Sequence, residues 1–384
     1  MRIRDITVTN LQFEYPPERR FRYAGGVCTG RLTSLVKVRT DEGLTGLGSV
    51  YSHPDLTRTV VENHLGPALA GRNPLDVEGI WDLCYRLTRW YGRKGVAMSA
   101  LGGIDIALWD LRGKAEGKSI SELAGATCDA VPAYASGLLW KAHTRELAEE
   151  AERHLAHGFE AMKMRLGRSR DYDSSALIAV RDAIGCERRL MIDGNARYTL
   201  REAQAMMPRF EDAGIFWLEE PFAPEDLGLF VALRPATRGI PVAAGENEFG
   251  MQGFRELMDS GAVQVVQPDC CRCGGFTEAR RIGQQAGTLG LKVAPHTWSD
   301  AVALTANIHL VASLPNAVTV EVDQTGNPLI DDLLTRPLNL RDGEMRVPTG
   351  PGLGVELNED IVARYEIPRG TPIPAGNYSD MLFW

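Results

Sequence analysis

Apolar and polar positions change their rhythm twice along the chain. Over the first 50 residues they alternate, as in "RIRDITVTNLQFEY" and "TSLVKVRTDEGLTGLGSV", which predicts short strands parted by a basic loop near Arg19, Arg20 and Arg22. From about Leu56 to Gly125 the spacing turns helical. In "VAMSALGGIDIALWDLRGKAEGKSI", Ala100, Ile104, Leu108 and Leu111 fall three or four apart, the stripe of a packed helix. From Val131 a third pattern begins: a short apolar run ends in a polar residue, a helix-like segment follows, and the next run starts. Strand candidates begin near 131, 161, 190, 215, 240, 263, 291 and 317, and from Asp193 onward their polar endings recur every 23 to 27 residues. That step fits one strand plus one helix. Gly158, Gly185, Gly214, Gly239, Gly261 and Gly290 each stand between a helix-like segment and the next strand, where a left-handed helix cap favours glycine. Thr199 and Glu202 form a capping box.

Eight such units predict an α/β fold, a (β/α)8-type barrel over 131–330 that includes an irregular last helix. Residues 1–130 are expected to form an N-terminal α+β capping domain. The Pro- and Gly-rich segment 331–384 is expected to pack back on it and complete it. A chain of 384 residues exceeds what one core usually supports, in keeping with two domains. Composition adds exclusions. A net charge of −8 argues against nucleic acid or an anionic membrane surface as partner. No apolar run is long enough to span a bilayer, and the first residues alternate rather than form an apolar leader. The seven cysteines, an odd number and mostly scattered, fit reduced thiols, so a cytoplasmic location is expected. Cys270, Cys271 and Cys273 lack the paired spacing of a zinc site and read as loop lining after a strand.

The chemistry sits on the endings. Asp193, Glu219 and Glu246 end three successive strands ("LMIDGN", "FWLEEP", "VAAGEN"). Adjacent strand ends lie about 5 Å apart, so these acids converge. Converging carboxylates repel unless a hard cation compensates them, and three oxygens that leave open octahedral positions suit Mg2+. The plainer alternative pairs each acid with a barrel lysine or arginine. Lys163 and Arg165, two apart on one strand, point the same way and face this cluster, where they could hold an anionic substrate or move a proton; Asp193 and Asn195 repeat the spacing. As neighbouring cations each should ease deprotonation of the other, with Lys163 yielding first. Asp269 ("VVQPD") and His296 ("KVAPH") end neighbouring strands, a pairing that fixes the imidazole tautomer for proton transfer. Glu321 ("VTVEV") ends the last strand.

This array resembles the mandelate racemase subgroup of the enolase superfamily, and the likeness extends to "GIDIALWDLRGK" and "GPGLGVEL". The resemblance implies a modified TIM barrel and Mg2+ on Asp193, Glu219 and Glu246. It also implies Asn195 as a polar neighbour toward substrate, an Asp269–His296 dyad, Glu321 as the last-strand glutamate, and Lys163 and Arg165 as the second-strand basic motif. It further implies a small carboxylate substrate, most often a sugar acid. Such an aldonate or aldarate is dehydrated through an enediolate held by Mg2+ to a 2-keto-3-deoxy acid, with His296 protonating the leaving hydroxyl. The alternatives are a racemase or epimerase of a 2-hydroxy acid, and a non-catalytic sugar-acid binder. Many members carry Lys-x-Lys where this chain has Lys-x-Arg; arginine keeps its proton, which weakens the racemase alternative. Branches with a lysine on the sixth strand are disfavoured by Asp269. Specificity is expected from loops near 14–30 and 48–55, and the expected assembly is a homo-oligomer.

Overall fold

The computed structural model describes residues 1–24, 26–126 and 128–373, together with the backbone of 381–382. Ile3–Glu14 (β1), Gly30–Thr40 (β2) and Thr45–Val50 (β3) form an antiparallel sheet in that order, with Val8 opposite Val36 and Lys37 opposite Leu47. Helices Val77–Thr88 (α1) and Val96–Glu116 (α2) follow. All four stripe residues of α2 are buried, but so is nearly every other side chain between Ala97 and Leu111. The reason is close approach on more than one face. A Cβ on Gly48 would meet Gly103 O at 2.0 Å, so β3 lies directly on the helix backbone. A Cβ on Gly102 would stand 2.8 Å from Gly275 N and 2.9 Å from Cys270 O, which brings the helix against the barrel.

The polar residues of "GIDIALWDLRGK" hold this joint. Asp105 accepts hydrogen bonds from Thr277 N–H (2.8 Å) and Thr277 Oγ1 (2.6 Å), and Trp109 Nε1 donates to the same hydroxyl at 2.8 Å. Asp110 accepts from the N–H groups of Leu47 and Leu353, each at 2.8 Å, and from Lys114 Nζ. Every buried carboxylate oxygen here has a donor, without which its burial would be costly.

The barrel strands are Ala130–Ser136 (β4), Ala161–Arg165 (β5), Arg189–Asp193 (β6), Leu218–Glu219 (β7), Val242–Ala244 (β8), Val265–Val266 (β9), Lys292–Val293 (β10) and Val320–Asp323 (β11). Neighbours from β4 to β10 pair in parallel, and β11 pairs with β4. A Val293–Ala317 bridge joins β10 to the chain entering β11 and closes the ring. The eight expected strands are these. The six inter-unit glycines all have φ between 56° and 91°, and Thr199 and Glu202 cap Leu200–Asp212 reciprocally. The helix that directly follows β11, Pro328–Asp331, is four residues long.

The C-terminal segment divides between the barrel and the cap, where packing on the cap alone is expected. Its hairpin Leu340–Arg341/Glu344–Arg346 pairs with β4, placing Met345 opposite Val131, and so adds to the barrel rather than to the cap. The β11 strand covers β4 only from Ala133 onward, which leaves the backbone before it open to a new partner. Further on, Glu359–Tyr365 lies on β1, with the rings of Phe13 and Tyr365 5.7 Å apart and Ile367 N–H donating to Asn10 O at 2.8 Å. The rest of the expected segment, 374–380 and 383–384, falls outside the described residues. Among the described residues, no helix is long and apolar enough to cross a membrane.

One buried imidazole joins three parts of the chain. His309, in Ala301–Ala312, accepts from Ser121 N–H at Nδ1 (3.3 Å) and donates from Nε2 to Leu353 O (3.1 Å). A second proton on Nδ1 would point at another donor, and burial lowers the pKa to about 4. Because the folded value lies below the unfolded one near ~6.5, this contribution to stability is complete above that pH and fades as pH falls toward about 4. Urea unfolding should therefore show an acid loss on the order of 3 kcal/mol between pH 7 and pH 4 that His309→Gln lacks. Superimposable pH profiles for the two proteins would refute this.

Candidate active site

The barrel interior below the mouth is apolar: Tyr134, Ala161, Met191, Trp217, Ala243, Val265 and Ala294 pack together there. Two residues further along three of these strands, the same inward direction carries Lys163, Asp193 and Glu219. Register sets Arg165 beside Asp193 and Asp193 beside Glu219. Glu246 lies beyond its strand and reaches the mouth through Gly245, whose φ of 123° suits glycine and where a Cβ would meet Phe254 at 2.7 Å. The three carboxylates present oxygens within 4.8 Å of one another. Asp193 and Glu219 are fully buried, and Glu246 is about one-seventh exposed.

Cations meet this cluster at close range. Lys163 Nζ donates to Glu219 and stands 3.0 Å from Glu321 and 3.5 Å from Asp193. Arg165 donates to Ser136 Oγ (2.7 Å) and Gly137 O (3.4 Å), with Asp193 at 3.6 Å and Glu321 at 3.7 Å. Burial works against the charge on Lys163, but Glu219, Glu321 and Asp193 outweigh it and hold its pKa well above the ordinary value. The expected easing of Lys163 by Arg165 is therefore overturned, because three acids lie closer to bonding distance than the like charge can offset. Burial likewise works against the Glu321 carboxylate, yet Lys163, His296, Arg165 and the 2.5 Å bond from Ser136 Oγ bring its pKa down to about 2. Burial raises Asp193, Glu219 and Glu246, helped in each case by a neighbouring acid.

His296 Nδ1 lies 2.9 Å from Asp269 Oδ2. A carboxylate can only accept, so Nδ1 carries the proton and Nε2 faces the mouth, 3.8 Å from Glu246 Oε2. Burial disfavours the imidazolium, but Glu246, Asp269 and Glu321 raise its pKa to about 9. The pair is held in place by backbone and amide donors: Cys271 N–H to Asp269 Oδ1 (2.8 Å), Asn307 Nδ2 to His296 O (2.9 Å) and Thr297 N–H to Glu321 Oε2 (2.9 Å). Cys270, Cys271 and Cys273 are buried in the same turn, where desolvation keeps them as thiols.

Asn195 is the exception among the expected residues. It lies past β6 with φ of 40°, so strand alternation does not aim it. Its backbone N–H donates to Asp193 Oδ1 (2.8 Å), while its side-chain oxygen has no partner. Glu220 was passed over, although the doubled acid in "FWLEEP" was a signal. It is buried behind Glu246, accepts from Gly245 N–H and Asn247 Nδ2, and burial with Glu246 raises its pKa to about 8. Tyr51, from the expected loop 48–55, brings the cap over the mouth with its ring 5.7 Å from that of His296. Arg272 stands over Tyr51 (5.0 Å) and donates to Asn247 Oδ1 (3.0 Å).

The acid triad fits a hard divalent ion. Asp193 Oδ2 is buried and accepts no hydrogen bond, and all three donors are carboxylate oxygens.

Comparison with known proteins gives a consistent picture. Residues 8–125 match the family model described as mandelate racemase/muconate lactonizing enzyme, N-terminal domain, and residues 146–361 the one described as enolase C-terminal domain-like. The chain is 38% identical over 347 residues to a D-galactarolactone cycloisomerase of Agrobacterium fabrum, covering 87% of this chain and 91% of the relative. It is 31% identical over 335 residues to an arabinonate dehydratase of Saccharolobus solfataricus, covering 86% and 89%. A crystal structure of a racemase from Streptomyces coelicolor with bound magnesium superposes with a TM-score of 0.88 at 27% identity, over 95% of this chain and all of that one.

Saturating Mg2+, ~100-fold above its dissociation constant, should raise unfolding stability by on the order of 2–3 kcal/mol, and Asp193→Asn should lose that response. An unshifted melting curve for the wild-type protein in Mg2+ would remove the metal reading.

Proposed function

The chain belongs to the mandelate racemase/muconate lactonizing enzyme family, and from that premise we propose that it is a Mg2+-dependent lyase, a dehydratase of an aldonate or aldarate. The observation that carries this reading is the meeting of an acid triad with an imidazole whose Nε2 is turned to the same mouth by Asp269. Asp193, Glu219 and Glu246 would hold Mg2+, which when bound supplies positive charge at the substrate carboxylate and compensates the triad that Lys163 otherwise neutralises.

The chain's own groups account for the proton traffic. Lys163 and Arg165 end the second barrel strand and His296 follows the seventh, so they reach the substrate from different sides of the triad. The surrounding acids hold both candidate bases protonated, so either would act as a base only once those acids are compensated. The α-proton then leaves to His296 Nε2 or to the Lys163 amine, the Cα–H electrons form a C=C bond, and the Cβ–O bond breaks. His296 then delivers a proton to the departing hydroxyl, which leaves as water, and the enol tautomerises to a 2-keto-3-deoxy acid. Thr297, Asn307 and Cys271 fix the acceptors and donors of this relay before substrate arrives.

The cycloisomerase relative favours a second reading on the same groups. If the β-oxygen belongs to a ring, the identical elimination opens that ring and nothing departs, so the net reaction is an isomerisation.

A panel of aldonates, aldarates and their lactones, followed by mass spectrometry, separates these outcomes. Loss of one water marks dehydration, consumption of a lactone at unchanged mass marks ring opening, and conversion of an open-chain acid at unchanged mass marks epimerisation instead. Failure to consume any member of the panel would overturn both. On the substrate found, His296→Asn should lower kcat roughly 10²–10⁴-fold while leaving the far-ultraviolet spectrum unchanged. Solvent deuterium uptake at the α-carbon that persists in His296→Asn and vanishes in Lys163→Ala would assign the base to the lysine. The converse pattern would assign it to His296.

A further inference from the structure

Trp298, two residues beyond His296 and 5% exposed, is shared by two guanidiniums. Arg165 Cζ stands 4.5 Å from its ring centroid, and Arg31 Cζ stands 4.3 Å from it. These arginines belong to different halves of the molecule, Arg165 to β5 in the barrel and Arg31 to β2 in the cap. Arg31 is 1% exposed and firmly held. Its Nη2 donates to Asp323 Oδ2 and to Thr325 Oγ1, each at 2.9 Å, and its Nε donates to Tyr15 OH at 3.2 Å. Phe21 and Tyr15 flank it with ring centroids at 5.5 and 5.9 Å. Asp323, two residues beyond Glu321, accepts from Thr325 N–H and Oγ1 at its other oxygen. The first segment of the cap is thus pinned to the end of the last barrel strand.

Arg165 needs such help. Its hydrogen bonds go to a hydroxyl and a carbonyl, and its carboxylate neighbours stand back at 3.6 and 3.7 Å. In a buried side chain with few directional partners, the plane of the guanidinium is set by what it stacks upon. Here that surface is an indole on which a cap residue, Arg31, also stacks.

We propose that Trp298 is a positioning residue: coupled to the cap by Arg31, it aligns the Arg165 guanidinium toward the substrate carboxylate. This rests on the reading above, in which Arg165 faces the substrate. A seated cap and an aligned Arg165 are then one event, because both depend on the same ring.

The test compares Trp298→Leu, which removes the aromatic face, with Trp298→Phe, which keeps one. Trp298→Leu should lower kcat/KM roughly tenfold or more, as expected for a desolvated cation–π contact, and Trp298→Phe should stay within about threefold. In an Arg165→Met background, Trp298→Leu should add less than about a twofold loss, since it acts through the group already removed. Losses that multiply, or a Phe variant as impaired as the Leu variant, would make Trp298 ordinary packing and overturn the proposal. Hydrogen exchange gives a readout that needs no turnover. In Trp298→Leu, uptake should rise together in 15–23 and in 133–140, which hold the Arg31 and Arg165 contacts, and Trp298→Phe should leave both at wild-type levels. Unchanged uptake in both segments of Trp298→Leu would defeat the coupling. A wild-type protein inert toward every sugar acid, but with the paired uptake change, would sink the dehydratase reading and leave the coupling standing.

Discussion

Four carboxylates crowded into a mouth with little access to water set the terms for everything packed around them. Asp193, Glu219 and Glu321 are buried and Glu246 is only about one-seventh exposed, so little solvent is left to disperse their repulsion. Lys163 bridges three of them and Arg165 flanks two, so neither cation has the freedom of a surface side chain. An arrangement of this kind tolerates little error in position, and the apolar floor beneath it supplies the stiffness. Trp217 shows the link: its ring packs on Tyr134, while its Nε1 donates to Glu219 Oε2 at 2.9 Å. Floor and charged rim are thereby one packed unit.

How much of this was legible in the sequence depended on whether a residue still lay in a strand. Lys163, Arg165, Asp193 and Glu219 do: period-two alternation sets the two cations side by side, and the spacing of strand ends brings the two acids together. Asn195 does not, and the same rule misplaced it. Glu246, Asp269 and His296 also lie past their strands. Their inward aim comes from turn geometry, such as the positive φ of Gly245, which polarity patterns do not encode. For Lys163, the proximity of Arg165 along one strand is visible in sequence, whereas the acids that dominate it arrive from three other strands.

The same limit explains what was missed elsewhere. Arg31 meets Trp298, and Tyr51 meets His296, each across more than 200 residues of chain, and neither Arg31 nor Trp298 belongs to a periodic run that would mark it. The C-terminal hairpin has strands of two and three residues, too short for alternation to register. By contrast the barrel was plain, because eight repetitions of one step, punctuated by glycine caps, outweigh uncertainty in any single element.

The glycine-faced helix Val96–Glu116 has a consequence for how the protein is made. Asp105 finds its donors 172 residues downstream, and Asp110 finds one of its own 243 residues downstream at Leu353. On the ribosome, the N-terminal sheet and this helix emerge long before either partner exists. Until then the bare backbone at Gly102 and two carboxylates destined for burial stay in water, and the cap cannot reach its final packing as an independent unit. Native closure therefore waits for nearly the whole chain, a high-contact-order topology that exposes an apolar helix to chaperones, or to self-association, throughout synthesis.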